Sequence, residues 1–247
     1  MDWMIEKGYD PVRVTLHKRV EEAPSVKSFY FEYPKNELEY RAGQTFHLHL
    51  DFPNDPDWYH VFSIASSPTE KYLIFTMKIR QQSRWKRALD SMKTGEELVV
   101  LGPSGSYVLP ETASSQVVFL GDGIGISPFR SMAKFAADRG VPHRITLLYC
   151  NRTPRDIVYK KLWPELQAMN PNFEVIHVVG NPAESEREWQ GRVGEIDHDL
   201  LREFVEDLDD ALFYVCATPS GVRKLAGVLI SMGIRERVKI DTFKGYD

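Results

Sequence analysis

Short apolar runs separated by turn signals dominate the chain from about residue 10 to residue 110. Runs rich in β-branched and aromatic residues, bounded by Gly, Pro and Asn, are typical of β-strands. Their close spacing predicts a compact antiparallel β-barrel over residues 1–112. The predicted strands are Val12–Val20, Val26–Tyr33, Thr45–Leu50, Trp58–Ile64, Leu73–Ile79 and Glu97–Leu101, with one helix at about Arg84–Met92.

The remaining residues, 113–247, alternate between strand-like and helix-like segments after the polar stretch Glu111–Ser115. This alternation predicts a doubly wound α/β domain with a parallel sheet, because parallel strands need crossover connections that are usually helices. The predicted strands are Gln116–Leu120, Arg144–Tyr149, Phe173–Val179, Leu212–Cys216 and Val238–Ile240. The predicted helices run from Ser127 to Gly140, Pro154 to Met169, Ile196 to Leu208 and Pro219 to Met232.

The segment from Gly121 to Pro128 joins the first of these parallel strands to a helix and carries three glycines at alternate positions. Glycine lets a phosphate approach the backbone closely, and a helix N-terminus offers free N–H donors and a positive dipole end. Ser127 is predicted to cap the helix, and Pro128 suits a first-turn position. A plain tight turn fits the same pattern, which is not the usual dinucleotide fingerprint.

The composition of the chain argues against several classes of function. The 247 residues are 43% hydrophobic and carry a formal net charge of −4, which gives no basic footprint for nucleic acid or an anionic membrane. No apolar run approaches the roughly 20 residues that span a bilayer, and the first residues lack a signal-peptide core. Cys150 and Cys216 are the only cysteines, too few for a disulfide framework or an iron–sulfur cluster. We therefore expect a cytoplasmic protein without a metal site.

Several local strings, in order along the chain, resemble the motifs of the ferredoxin–NADP reductase superfamily. The string Phe62–Pro68 resembles its flavin-binding signature, and Gly102–Tyr107 resembles the Gly-Pro-x-Gly-x-aromatic turn that closes its barrel. Gly121–Pro128 is similar to its pyridine-nucleotide loop, Cys216–Pro219 to its Cys-Gly-x-Pro segment, and Phe243–Tyr246 to terminal strings of several members. The resemblance implies a Greek-key barrel that binds FAD and an α/β domain that binds NAD(P)H.

The resemblance implies a set of flavin contacts. Phe62 would stack on the isoalloxazine ring and Ser63 would reach the N5 edge, where hydride arrives. His60 stands where the family has an arginine on the flavin diphosphate, and Arg80 and Arg84 would supply the missing charge. The implied flavin set also contains Ile64, Ser66 and Tyr246. Without the resemblance, Phe62 is an ordinary core residue and His60 an ordinary strand histidine.

The resemblance also implies a set of nucleotide contacts, with Cys216 and Ser63 as the catalytic pair. Arg152 and Arg192 would meet the 2′-phosphate of NADP, since no acidic residue stands at the position of Arg152, and Tyr159 would lie against adenine. These expectations favour NADP, with NAD possible. The complete implied set is Gly121, Gly123, Gly125, Pro128, Arg152, Tyr159, Arg192, Cys216 and Thr218. Solvated loop arginines, a packed helix tyrosine and a buried strand cysteine are the alternatives.

The sequence does not identify the electron acceptor. Ferredoxin, flavodoxin, an oxygenase component or a small molecule all suit this pair of domains, because the flavin carries the chemistry. One alternative is an electron-transfer subunit of a larger redox complex. Another is a sensory module that keeps the nucleotide fold and has lost its flavin, which His60 and the altered phosphate turn around Arg84 favour.

Overall fold

The computed structural model describes residues 8–36, 38–50, 59–111, 116–184 and 188–242. The predicted strand start at Trp58, most of the linker Glu111–Ser115, and Tyr246 lie outside these ranges. Two six-stranded sheets make up the fold, one in each half of the chain. The predicted order of an antiparallel domain followed by a parallel α/β domain is confirmed.

The first sheet is antiparallel throughout, in the strand order β4-β3-β6-β1-β2-β5. Apolar side chains at alternate strand positions fill its interior, as in β1, where Val12, Val14 and Leu16 are buried. Helix α1 closes this interior with Trp85 and Leu89. The elements are β1 Val12–Ala23, β2 Val26–Glu32, β3 Thr45–His49, β4 Tyr59–Ser63, β5 Leu73–Lys78, α1 Arg84–Ser91 and β6 Glu97–Ser104.

The second sheet is parallel throughout, in the order β10-β9-β8-β7-β11-β12. Its central strand β7 is apolar on consecutive residues because helices cover both faces. The elements are β7 Val117–Asp122, α2 Ser127–Arg139, β8 Ile145–Asn151, α3 Leu162–Met169, β9 Phe173–Val179, β10 Arg192–Val193, α4 His198–Phe204, β11 Leu212–Ala217, α5 Pro219–Ser231 and β12 Val238–Thr242.

Two helix predictions need correction. The helix predicted from Pro154 to Met169 is a 3₁₀ turn followed by α3, because Tyr159 between them has φ +58°, outside the right-handed helical region. Ser127 does not cap α2. A 3₁₀ turn over Gly123–Ile126 precedes it, and the Ser127 hydroxyl points across to the carbonyl of Thr76 at 3.5 Å. Gly140 ends α2 in the left-handed conformation, as predicted.

A buried polar cluster joins the two domains. Arg130 on α2 donates to both carboxylate oxygens of Glu70, at 2.7 and 2.9 Å, and to the carbonyl of Ala65 at 2.7 Å. The hydroxyl of Ser131 donates to the carbonyl of Ser66. An apolar cluster around these bonds also draws residues from both halves of the chain. The seam therefore fixes how the carboxyl ends of the parallel strands face the barrel.

Candidate functional site

His60 and Phe62 lie on β4 against the indole of Trp85, which α1 inserts into the barrel. The ring centroids of His60 and Trp85 are 4.9 Å apart, and those of Phe62 and Trp85 are 5.4 Å apart. Phe62 is 6% exposed and belongs to the barrel core. Phe62 therefore packs in the barrel interior, and its stacking on a flavin stays a prediction. Trp85, which packs beside it, is a residue that the sequence motifs did not indicate.

Positive charge gathers at the start of α1. Ser83 caps the helix by accepting from the backbone N–H of Lys86, and Arg80 and Arg84 flank this turn. Lys86 is 5% exposed, and burial, with the charge of Arg80, lowers its pKa to about 7. Bringing cations together in a low-dielectric place is unfavourable unless an anion shares it. The sequence motifs gave no role to Lys86.

Ser63 and Cys216, predicted as the catalytic pair, meet where the barrel faces the parallel sheet. The hydroxyl of Ser63 donates to Oδ2 of Asp241 at 3.2 Å, although 178 positions separate the two residues. Cys216 is the register partner of Asp241 in the parallel pairing of β11 and β12. The phenol of Tyr107 is buried in the same place, and no described residue offers it a hydrogen bond. Asp241 and Tyr107 are thus site residues that sequence reasoning missed.

Burial is the main cause of the pKa shifts of the titratable groups around Ser63 and Cys216. Burial raises the pKa of Asp241, while the Thr242 N–H and the Ser63 hydroxyl act in the opposite direction. Burial, with the charge of Asp241, also raises the pKa of the Cys216 thiol well above its usual range, so this thiol is neutral near pH 7. The pKa of Tyr107 is raised in the same way. The site thus holds a neutral thiol and a neutral phenol beside one carboxyl, away from water. Such a site suits hydride transfer better than nucleophilic attack by a thiolate.

The glycine loop lies directly against the end of β11. A Cβ on Gly125 would sit 2.0 Å from the carbonyl oxygen of Cys216, so only glycine fits there. Gly123 has φ +54° and open space around it, and Gly121 packs close to the ring of Phe129. The loop continues through buried Pro128 into α2. It therefore places glycine backbone, half-buried at Gly123, at the carboxyl ends of β7 and β11, where a diphosphate could approach it.

Thr218 and Asp122 both lie next to Gly221 at the start of α5. Thr218 caps α5, its hydroxyl accepting from the N–H of Gly221 at 3.2 Å. Asp122 ends β7, and its Oδ2 lies 2.9 Å from where a Cβ of Gly221 would be. The carboxylate thus fills the space that the glycine leaves open.

The two arginines predicted to meet a 2′-phosphate are both engaged with carboxylates. Nε of Arg152 lies 3.5 Å from Oδ2 of Asp156, which also accepts from the N–H and hydroxyl of Thr153. Arg192 is bonded to Glu203 and lies over the ring of Phe204. Position 152 itself is not acidic, but the turn after β8 brings the carboxylate of Asp156, four residues later in the chain, next to Arg152.

Tyr159, predicted to lie against adenine, is inside the protein. It is 4% exposed, its hydroxyl donates to Thr76 and its ring lies under Arg130. Tyr159 therefore joins the domain seam and presents no face to an adenine, so the predicted contact does not fit this conformation.

Two of the predicted flavin contacts are also inside the protein. The hydroxyl of Ser66 is held by Tyr40 and by the N–H of Ile74. Ile64 is fully buried. These side chains hold the barrel together.

The residues present fit an FAD along the barrel. Ser63 would provide a donor for the polar edge of the ring and Lys86 a buried cation for the diphosphate, while Phe62, 6% exposed, would contact the ring only at its edge. The Tyr107 hydroxyl, without a partner among the described residues, is a further polar group for a ligand. Within the described ranges no helix is long and apolar enough to cross a bilayer, and no cluster of three or more metal-ligating side chains occurs.

Comparison with protein families gives a match for each half of the chain. Residues 12–108 match the oxidoreductase FAD-binding domain, and residues 119–225 match the oxidoreductase NAD-binding domain. One subunit of the Na(+)-translocating NADH-quinone reductase of Pseudomonas aeruginosa is 28% identical over 205 residues, and the Haemophilus influenzae protein of the same name is 30% identical over 200. Each alignment covers 74% of this chain and 48% of the relative, so the chain spans about half the length of these relatives.

Solved structures show the same fold. A cytochrome P450 reductase of Amycolatopsis superposes with a TM-score of 0.79 at 18% identity, covering 95% of this chain and 70% of that one. The ferredoxin-NADP+ reductase of Plasmodium falciparum superposes with a TM-score of 0.75 at 20% identity, covering 94% and 96%.

Proposed function

Because this chain belongs to the ferredoxin–NADP reductase superfamily, as an NAD(P)H-dependent flavoprotein reductase, we propose that Ser63, Cys216 and Asp241 mark the place where the nicotinamide meets the flavin. The observation that carries this proposal is the hydrogen bond from Ser63 on the barrel to Asp241 on the last parallel strand, with Cys216 beside it. Bound FAD would take up the hydride and release electrons singly or in pairs.

The residues around this point orient the reactants and exclude water. Ser63 donates a hydrogen bond and would turn from Asp241 to the polar edge of the flavin. Cys216 is fully buried, so its neutral thiol would contact the nicotinamide only after residues at this point move apart on binding. Asp241 would keep a hydrogen-bond acceptor beside the hydroxyl of Ser63. Each role is one of positioning in a dry site.

For the nucleotide, the structure favours NADH over the NADPH that the sequence predicts. Arg152 lies beside Asp156, and Arg192 is paired with Glu203, so a 2′-phosphate would have to compete with a carboxylate for each arginine. A carboxylate at this place can accept hydrogen bonds from the free ribose hydroxyls of NAD. We therefore propose NADH as the preferred donor, with Asp156 as the residue that sets the preference.

For the acceptor, we propose a protein partner. The relatives of this chain are named as subunits of a quinone reductase, and this chain spans about half of their length. An electron-transfer unit that works within a larger complex fits the name of those relatives better than a self-sufficient enzyme. Ferredoxin and flavodoxin are the acceptors that the sequence resemblance suggested. The predicted cytoplasmic location and the domain division near residue 112 stay predictions.

Absorbance spectroscopy tests the reductase and its nucleotide preference together. The purified protein, supplied with FAD, should show an oxidised flavin spectrum that bleaches on anaerobic addition of NADH. A flavin that neither NADH nor NADPH reduces would overturn the reductase assignment, and a protein that takes up no FAD would favour the flavin-free sensory module.

Substitutions of Asp156 and Arg152 test the nucleotide preference separately. Asp156→Asn keeps an oxygen for the Thr153 cap but removes the negative charge beside Arg152, so NADPH efficiency should rise about 10- to 150-fold, the range of one charge-assisted hydrogen bond. Adding Arg152→Ala to that variant should remove the gain. A wild type that already prefers NADPH, or a gain that survives Arg152→Ala, would contradict the role of Asp156.

A further inference from the structure

Asp122 places a carboxylate in the crevice at which the strand order of the parallel sheet reverses. The chain leaves β7 for β8 on one side, while β11 pairs with β7 on the other. In open α/β sheets, ligands bind in the crevice at this switch point. Asp122 is the last residue of β7, so its side chain stands where the crevice opens.

The position of this side chain is fixed by α5. Oδ2 of Asp122 occupies the space that a side chain on Gly221 would need, at 2.9 Å from the Cβ position. Gly221 lies in the first turn of α5, a helix of 13 residues whose N-terminus attracts negative charge. Asp122 therefore provides a built-in anion where the start of a helix and the glycine loop would otherwise receive a phosphate.

The charged and titratable groups around Asp122 do not cancel its charge. On α5, Lys224 is already paired with Glu195, from the segment before α4, so this pair is neutral overall. On β8, Cys150 is the register partner of Asp122, and Tyr149 precedes it. Burial raises the pKa of Asp122, Lys224 acts to lower it and Glu195 to raise it. These opposing influences leave a titratable carboxyl at the end of β7.

We propose that Asp122 is a charge gate, whose carboxylate opposes the diphosphate of the nucleotide, so that nucleotide binding is coupled to uptake of a proton by Asp122. This inference rests on the proposed function, because it assumes that the nucleotide enters this crevice. It makes Asp122 a residue that sets nucleotide affinity and its pH dependence, without a role in the hydride step.

The sign of the effect follows from the like charges. A diphosphate beside Asp122 favours the protonated carboxyl and raises its pKa in the complex above that in the free protein. Affinity is therefore lowest at high pH, rises as pH falls through the pKa of the complex, and levels off below the pKa of the free protein. Each unit between the two pKa values corresponds to a tenfold change in affinity.

The experiment measures binding of ADP-ribose, which carries the diphosphate and cannot reduce the flavin, to the FAD-loaded protein by isothermal titration calorimetry between about pH 5.5 and 8.5. In two buffers of different ionisation heat, the wild type should take up a proton on binding near neutral pH. Asp122→Asn, which keeps the shape of the side chain, should bind about tenfold tighter at pH 8 and take up no proton. Asp199→Asn, which removes a carboxylate from the exposed surface of α4, is the matched control and should keep the proton uptake.

The outcomes distinguish a failure of the charge-gate proposal from a failure of the proposed reductase function. Weaker binding by Asp122→Asn would mean that the carboxylate accepts a bond from a ribose hydroxyl, and it would overturn the gate. Unchanged affinity and proton uptake would do the same. If NADH still bleaches the flavin in either case, the proposed function stands. A wild type that neither binds ADP-ribose nor is bleached by NADH would overturn the proposed function. Thermal melting of each variant confirms that the substitutions leave the fold intact.

Discussion

The ion pair between Arg130 and Glu70 offers a direct measure of what holds the two domains together. Its side chains are 6% and 18% exposed, and Arg130 donates two bonds to Glu70 and one to Ala65. Burial opposes the charge of Arg130, but the hydrogen bonds and charge of Glu70 raise its pKa overall. Removal of Glu70 would leave a guanidinium buried without its counter-charge.

Glu70→Ala should therefore lower the free energy of unfolding by about 3–5 kcal/mol, the usual cost of leaving one partner of a buried pair behind. For a chain of this size, each kcal/mol lowers Tm by about 2–4 °C, so the expected decrease is about 6–20 °C. The measurement is thermal unfolding followed by calorimetry at neutral pH. Glu97→Ala is the matched control, because Glu97 pairs with Arg13 at the surface and should change stability by less than about 1 kcal/mol.

The double variant Arg130→Met with Glu70→Ala completes the thermodynamic cycle. Because it removes both charges, it should be more stable than the sum of the single changes predicts, by at least about 1 kcal/mol. A Glu70→Ala decrease no larger than that of Glu97→Ala would refute the reasoning, and so would strict additivity in the cycle. Either result would mean that the seam relies on apolar contacts alone.

Three further changes test the site itself. Cys216→Ala should slow flavin reduction by NADH in stopped-flow mixing and leave FAD content unchanged, whereas a wild-type rate would make Cys216 an ordinary core residue. The help of Lys86 to FAD binding should be complete below about pH 7 and fade as pH rises through the higher pKa that a bound diphosphate gives it. Lys86→Met should weaken FAD binding about 10- to 150-fold at pH 6 and flatten this profile in FAD titrations, and superimposable curves would exclude the contact. Gly125→Ala should abolish NADH binding, since its Cβ would meet the Cys216 carbonyl, while Gly227→Ala, with open space around it, should bind normally.

Strand and helix types followed from the sequence because they depend on local patterns. The apolar run of β7 and the alternation in β1 both indicate burial on known faces, and the structure has both strands. The helix before Met169 was predicted too long, because nothing local shows that Tyr159 leaves the helical region. Its backbone follows from a tertiary contact, the hydroxyl bond to Thr76 on the barrel.

The candidate site residues that the sequence indicated are those that lie in family motifs. Ser63 and Cys216 lie in recognisable strings, and the structure brings both to one place. Asp241 has no such string, and its role depends on pairing between strands that are distant in sequence. The partner of Arg152 was missed for a different reason: the capping turn that brings Asp156 back to it is visible only in three dimensions.

The contact of Trp85 with His60 and Phe62 has an optical consequence. The indole is fully buried, and its emission overlaps the absorption of an oxidised flavin. A flavin seated over Phe62 would accept excitation energy from Trp85 across a very short distance and quench its fluorescence. The chain thus contains a built-in reporter of cofactor occupancy, and replacing Trp85 by Phe would identify its share of the signal.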